Sequence, residues 1–343
     1  MSSGTKASFE GKDVSVHQNG LKNGLARQEW NWHPDLPISN NPLFELPWNM
    51  ASIWAYHRDT WLKLSEVSFF LFLAIASFYL IQPVMPAEGD TSNLSWLIAL
   101  YGINFGLVCL VAGGLHWFLY TRKGQGISRK YVASFGHKGG GRFSFGNQVY
   151  DNMFWSLAGG VSFWTLYQGI LLWRLHDGSA SYIGWNDSPF LFSLIIFLTG
   201  PWIAFHFYWG HRFLHLEPVY RWIHALHHRN VNIGPWSGIS MHPVEHAIYF
   251  SSVLIHLIIP SHPIHIFFHM YMLGLSAIIG HSGFHALFVA SKDRVMLGHF
   301  HHQLHHRYFE CNYGSVDFPL DRWFGTFHDG SEEARIRLKK KLK

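Results

Sequence analysis

Apolar residues in this chain fall in long runs separated by polar stretches, with little of the two-residue alternation that marks half-buried strands. A helix needs roughly 20 apolar residues to cross a bilayer. Four runs meet that length, at about 62–84, 94–120, 153–173 and 190–209. A fifth apolar region, 243–279, is broken by Pro260 and Pro263 and predicts a helical hairpin, spanning or re-entrant. Residues 1–58 form a polar segment, and the Pro and Trp residues between Trp30 and Trp54 suit a position at the membrane interface. The pattern predicts an all-α, integral membrane helical protein. Its parts are the 1–58 segment, three transmembrane helices with their loops in 59–189, a domain at 190–330 that opens with the fourth helix, and a basic tail at 331–343.

Composition agrees with a membrane class. Only 14% of residues are charged and 17% are aromatic, against about 25% charged in soluble domains. The net charge of +5 lies mostly in loops and tail. No basic face is interleaved with a binding motif, so nucleic acid is not an expected partner. Two cysteines, Cys109 and Cys311, provide neither a disulfide framework nor a thiolate metal site. No signal-peptide core is visible near the start. The 85–93 loop has no Lys or Arg, whereas the 121–149 loop has Arg122, Lys123, Arg129, Lys130, Lys138 and Arg142. Cations accumulate on cytosolic loops, which puts the latter loop, both termini and everything after the fourth helix on the cytosolic side.

The histidines carry the chemistry. Nineteen of the 26 lie between His206 and His306, grouped as HRFLH (211–215), HALHH (224–228), HSGFH (281–285) and HQLHH (302–306). Neutral imidazole is the commonest protein metal ligand, and residues three and four apart share a helix face. On that spacing His224, His227 and His228 point at one place, and so do His302, His305 and His306; His211 pairs with His215, and His281 with His285. Ten imidazoles exceed one ion and predict two adjacent metals in a cytosolic helical cap. Thiolates are absent, and nitrogen-rich sites with open positions suit iron that handles dioxygen. The single histidines His256, His262, His265 and His269 read as hydrogen-bonded core residues, and His17, His33, His57, His116, His137, His176 and His328 read in the same way. Gly139–Gly141 reads as linker.

The string YWGHRFLHLEPVYRWIHALHH resembles the sterol desaturase and fatty acid hydroxylase superfamily. The likeness continues through His242-Pro243-Val244-Glu245, HSGF at 281–284, HQLHH, Asn312-Tyr313-Gly314 and Asp321-Arg322, and spans about 190–328. Its combination of boxes is closest to sterol C5-desaturase and methyl sterol oxidase-like members. The resemblance implies an O2-dependent non-haem diiron oxidoreductase that desaturates or hydroxylates an unactivated C–H bond of a membrane lipid, a sterol first, with fatty acid, sphingolipid or carotenoid hydroxylation as alternatives. It implies two Fe ions on His211, His215, His224, His227, His228, His281, His285, His302, His305 and His306, and no catalytic residue beyond these ligands. His206 lies about 140° around an ideal helix from His211 and is expected behind the ligands, with His242, Glu245, His246, Asn312, Asp317 and Asp321, because ligand imidazoles usually donate their second N–H to a carboxylate or carbonyl. His299 and His301 read as neighbours of that layer or as surface.

No flavin, nicotinamide or haem motif is visible, so electrons are expected from an external donor, cytochrome b5 with an NADH-dependent reductase or a ferredoxin. The basic 122–142 loop and the Lys339–Lys343 tail could steer an acidic donor. The final Lys-Lys-Leu-Lys is similar to a dilysine retrieval signal and favours the endoplasmic reticulum, with a bacterial cytoplasmic membrane as the alternative. A membrane metal-binding or transport protein is the competing class. It would need ionisable residues along the spans, and the first three are nearly free of them.

Overall fold

The structure is a computed structural model that describes residues 30–39, 41–61, 65–82, 95–136 and 141–341. His17, the 85–93 loop, His137, Lys138, Gly139, Gly140 and the last two residues of the tail lie outside the described residues. The chain is mostly helical. α1 is Met50–Trp61 and α2 is Glu66–Ile81. α3 (Ser95–Thr121) contains two π-helical stretches, and α4 (148–176) contains one. α5 is Pro189–Leu214, α6 is 220–228, α7 is Pro243–Phe250 and α8 is Pro263–Gly280. α9 (Phe300–Tyr308), α10 (Leu320–Trp323) and α11 (Glu332–Lys341) complete the chain.

Local chemistry sets the helix starts. Ser188 caps α5, His242 caps α7 and His262 caps α8, each accepting a backbone N–H, and each helix begins with proline. Among the described residues, three helices have the length and composition to cross a membrane: α3, α5 and α8. This is fewer than the four spans and hairpin expected. The described part of the first expected span, α2, has 16 residues, and the third lies in α4, which buries Ser156, Thr165 and Gln168. The broken region at 243–279 is α7, a 3-10 turn at Ser251–Leu257, and α8, so only its second limb is long.

The all-α expectation also missed a two-stranded antiparallel sheet, β1 (Ala286–Val289) with β2 (Lys292–Met296). Its turn residues Ala290 and Ser291 adopt φ of 51° and 58°. Hairpin turns of this kind are usually signalled by Asn-Gly or Asp-Gly, and Ala-Ser gives no such signal.

The helices share one polar end. Glu66 at the start of α2 and Gly280 at the end of α8 line a common cavity. Tyr120 near the end of α3 donates to the Ser282 carbonyl at 2.8 Å, and Gln148 at the start of α4 donates to Asn230 at 2.9 Å. α8 packs between α2 and α4 in a core that includes Phe70, Trp164, Phe267 and Tyr271. Gly274 makes this possible, because a Cβ there would lie 2.2 Å from the Trp164 ring.

Several buried polar groups in this part pair with one another, as an apolar surrounding favours. Asn104 donates to Thr165 and Gln168 at 3.0 and 2.9 Å. His269 joins Ser252 and His256 at 3.0 and 3.1 Å, and His265 donates to the Phe192 carbonyl at 3.1 Å. These histidines are hydrogen-bonded core residues, in line with the reading of isolated histidines.

The segment at 30–38 packs against the polar end. Asn31 pairs with the backbone of Tyr131 at 3.0 Å, Ile38 with Asp329 at 2.9 Å, and Trp30 meets Phe300 edge-on at 4.8 Å. It straps the polar end, while Leu46, Trp48, Met50 and Trp54 beyond it are exposed. Lys130 departs from its expected place as a loop charge. It is fully buried, with Nζ 5.1–5.3 Å from the ring centroids of Tyr120, Phe135 and Phe284.

Candidate metal centre

Four helices deliver histidines to the polar end. His211 lies in the last turn of α5 and His215 is its C-cap. His224, His227 and His228 lie on α6, His281 caps α8, and His302, His305 and His306 lie on α9. Their ligand atoms form two groups, each within 4.8 Å: His211, His215, His224, His228 and His305, and then His227, His281, His302 and His306. The partition corrects the expectation that each HxxHH box faces one place. Residues i and i+4 are 40° apart on a helix, whereas i+3 and i+4 are 100° apart. Thus His224 and His228 share the first group while His227 turns to the second. His302 and His306 share the second while His305 turns to the first.

His285 stands outside both groups. α8 ends at Gly280, and Gly283, at φ +76°, turns the chain into β1, so His281 and His285 do not share a helix face. His285 stacks on Trp32 at 4.5 Å and lies 3.4 Å from the Tyr131 hydroxyl.

Backbone carbonyls fix the ligand tautomers. His211 Nδ1 donates to Tyr313 O at 2.7 Å, His305 Nδ1 to Cys311 O at 2.6 Å, His281 Nδ1 to Ala277 O at 2.7 Å, and His227 Nδ1 to Ser240 O at 3.3 Å. Carbonyls only accept, so each ring carries its proton on Nδ1 and aims a bare Nε2 lone pair inward. The Nε2 atoms of His281, His302 and His306 form a triangle with sides of 3.0, 3.1 and 3.1 Å. Three nitrogens in a triangle, one without a proton, cannot satisfy one another by hydrogen bonds. A metal–nitrogen bond of about 2.1 Å places ligands at right angles about 3.0 Å apart. The triangle is therefore one face of a coordination shell. In the first group His211–His224 and His228–His305 show the same Nε2 spacing, 3.1 and 3.0 Å.

Electrostatics keep the rings ready to bind. Burial pushes His224 and His227 down to about 3 and His281 down to about 4. It also holds His228, His302, His305 and His306 well below the usual imidazole value. Neutral imidazole is the form that ligates. Glu245 Oε1 lies 2.8 Å from His224 Nδ1. Burial raises this carboxyl to about 8 without an ion. His227 and a backbone hydrogen bond at His242 work in the opposite direction and favour the carboxylate.

The other residues expected behind the ligands divide by contact. Asp321 accepts the N–H groups of Tyr313 and Gly314, both at 2.8 Å, and so fixes the loop whose carbonyl holds His211. Asn312, at φ +56°, bonds His301 and His328 and turns the chain between the two carbonyl-bearing residues. His206 bonds Ser251 at 3.0 Å, and His246 bonds the Ile239 carbonyl at 3.0 Å, each away from both groups. His242 serves as the α7 cap, accepting from Val244 N at 3.2 Å. Asp317 is exposed and pairs with Tyr56 and Ser315. These four share sequence neighbourhood with the ligands without touching them. Sequence reasoning missed the carbonyl partners, since a backbone oxygen has no residue signature. It also missed Glu66, which reaches the site from a distant helix.

A cavity of about 280 Å³ opens beside the second group. Its walls include Val67, Ile203, Phe207, Met241, Ile248 and Met272, and His211, His224, His227, His281 and His302 border it.

The sequence profile of the family described as "Fatty acid hydroxylase" matches residues 196–326, the stretch that supplies every histidine of both groups. This stretch is similar to the sterol desaturase and fatty acid hydroxylase superfamily. A Delta(7)-sterol 5(6)-desaturase of Gibberella zeae is 31% identical over 35% of this chain and 37% of the relative. A Delta(7)-sterol-C5(6)-desaturase of Nicotiana tabacum is 29% identical over 38% of this chain and 48% of the relative. A Delta(7)-sterol 5(6)-desaturase of Schizosaccharomyces pombe is 31% identical over 42% and 46%. The chain thus matches less than half the length of these curated relatives. No solved structure matches it.

Proposed function

We propose that this protein is a membrane oxidoreductase of the sterol desaturase and fatty acid hydroxylase superfamily that desaturates a sterol at a diiron centre held by nine histidines, five on one iron and four on the other. The reading is carried by the cavity, which joins both histidine groups to an apolar wall formed by α2, α5 and α8. Relatives named as sterol desaturases support the lipid class and the reaction. Bound iron would supply the reduction of O2, which takes two electrons and two protons per turnover and leaves as two waters while the lipid loses two hydrogens.

The protein's own residues do the rest. Nδ1–H donors locked on carbonyls hold the rings still. Val67, Ile203, Phe207 and Met272 exclude water and place a carbon against the cage. Histidine is ligand here and not general base. The cage lies at the end that carries the basic 121–149 loop, which supports a cytosolic orientation and an endoplasmic-reticulum membrane. Electrons would come from an acidic carrier such as cytochrome b5 with its reductase, or from a ferredoxin.

Purified full-length protein with iron, a reducing chain and O2 tests the proposal. It should bind two irons per chain and convert a saturated sterol ring bond to an alkene only under air. His305→Ala should abolish product while the protein still folds. Product formation that survives His305→Ala, or an active protein with fewer than two irons, overturns the reading.

A further inference from the structure

The cavity has a second polar end that the metal centre does not use. Glu66, the first residue of α2, lines it together with Ser276, His299 and Asp317. Glu66 Oε1 is enclosed and has no hydrogen-bond partner among the described residues. An enclosed carboxyl oxygen left unpaired is costly. A ligand that enters the cavity can supply the missing donor.

We propose that Glu66, held by Ser276, binds the hydroxyl of a hydroxylated lipid and so fixes which carbon lies against the histidine cage. This rests on the lipid-oxidase reading above and deepens it. The chemistry of the end selects the headgroup. Glu66, Asp317 and His299 border it, and burying the charge of a carboxylate or phosphate at this enclosed end is costly, whereas a neutral group enters without that cost. A hydroxyl is neutral and donates to the unpaired Glu66 Oε1, while Ser276, hydrogen-bonded to the same carboxyl, holds it in place. The site therefore takes sterol-like alcohols in preference to free fatty acids. Because the same cavity borders five imidazoles of the cage, anchoring the hydroxyl sets a fixed reach to the attacked carbon.

The test compares a sterol with a free ring hydroxyl, its methyl ether and a free fatty acid. The full-length chain in detergent micelles is used both as wild type and as Glu66→Leu. Binding is read with an intrinsically fluorescent sterol and its ether, and turnover with iron, donor and O2. Wild type should bind the alcohol roughly tenfold to a hundredfold tighter than the ether, and bind the fatty acid weakest. Glu66→Leu should lose that preference, raise KM for the alcohol, and leave the ether and the iron content unchanged. Equal binding of alcohol and ether by wild type overturns the proposal, as does a Glu66→Leu variant that keeps the preference or loses both ligands alike. A wild type that prefers the alcohol in binding but oxidises no lipid leaves the anchor standing and defeats the oxidase reading instead.

Discussion

Glu245 is the residue whose change should speak most directly about the metal centre. Its carboxylate lies within hydrogen-bond distance of a grouped imidazole, at 2.8 Å from His224. Glu245→Gln keeps an acceptor but removes the charge. Iron affinity should fall about 10–100-fold, read by metal analysis, with the melting temperature of the metal-free protein little changed. Lys130 makes a different case. Burial pushes its amine down to about 7, below the unfolded value, so the unfolded chain holds the extra proton between about pH 7 and 10. The penalty is full below about 7 and is relieved as pH rises toward 10. Lys130→Met should stabilise the protein at pH 7 by about 1–4 kcal/mol, and the gain should shrink at pH 9.5. Thermal unfolding of both proteins at the two pH values checks it; a Met variant that melts below wild type at pH 7 would show that the aromatic cage outweighs desolvation.

At the scale of elements, the boxes were legible in the sequence because their spacing is helical, and the 3-10 and helical breaks at Pro260 and Pro263 were legible because proline interrupts hydrogen bonding. The division of each box between two groups was not read, although the 100° step from His227 to His228 would have shown it. His285 was misplaced because the end of α8 and the Ala290–Ser291 turn carry weak signals. The contacts of the 30–38 strap with Tyr131, Phe300 and Asp329 were not legible, because tryptophans suit both a membrane interface and a protein surface. The partition itself makes a prediction. His302→Ala and His305→Ala, three residues apart, should each deplete a different ion, leaving about one iron per chain and unlike spectra for the iron that remains. Identical residual spectra would contradict the partition. Asp321→Ala should resemble a ligand loss by freeing the 311–314 loop, although the residue itself touches no grouped imidazole; Asp321→Asn should retain part of the function by accepting one of the two N–H groups.

Across the whole molecule, the cage is a neutral, buried cluster at one end of an apolar bundle, and acid should undo it. His224, His227 and His281 hold values of about 3 to 4 in the folded chain, against about 6.5 unfolded. Between those values the unfolded state binds more protons, so stability is lost as pH falls below about 6.5. Protons also compete with iron for the same nitrogens. Metal-free protein should lose melting temperature steadily from pH 6.5 to 4.5, and loaded protein should release iron over the same range. A flat profile would mean that the rings are not enclosed as described.

One consequence of the shared boxes concerns distance. The gap between the two metal positions is measured twice, once on α6 and once on α9, by a single residue step along a helix. That step is a rise of about 1.5 Å with a turn of 100°. The helix thus serves as a ruler, and the loops between boxes take no part in the measurement. Extra residues in those loops should leave the interval intact. One residue inserted within HALHH or HQLHH would swing the following ring away and change the interval at once.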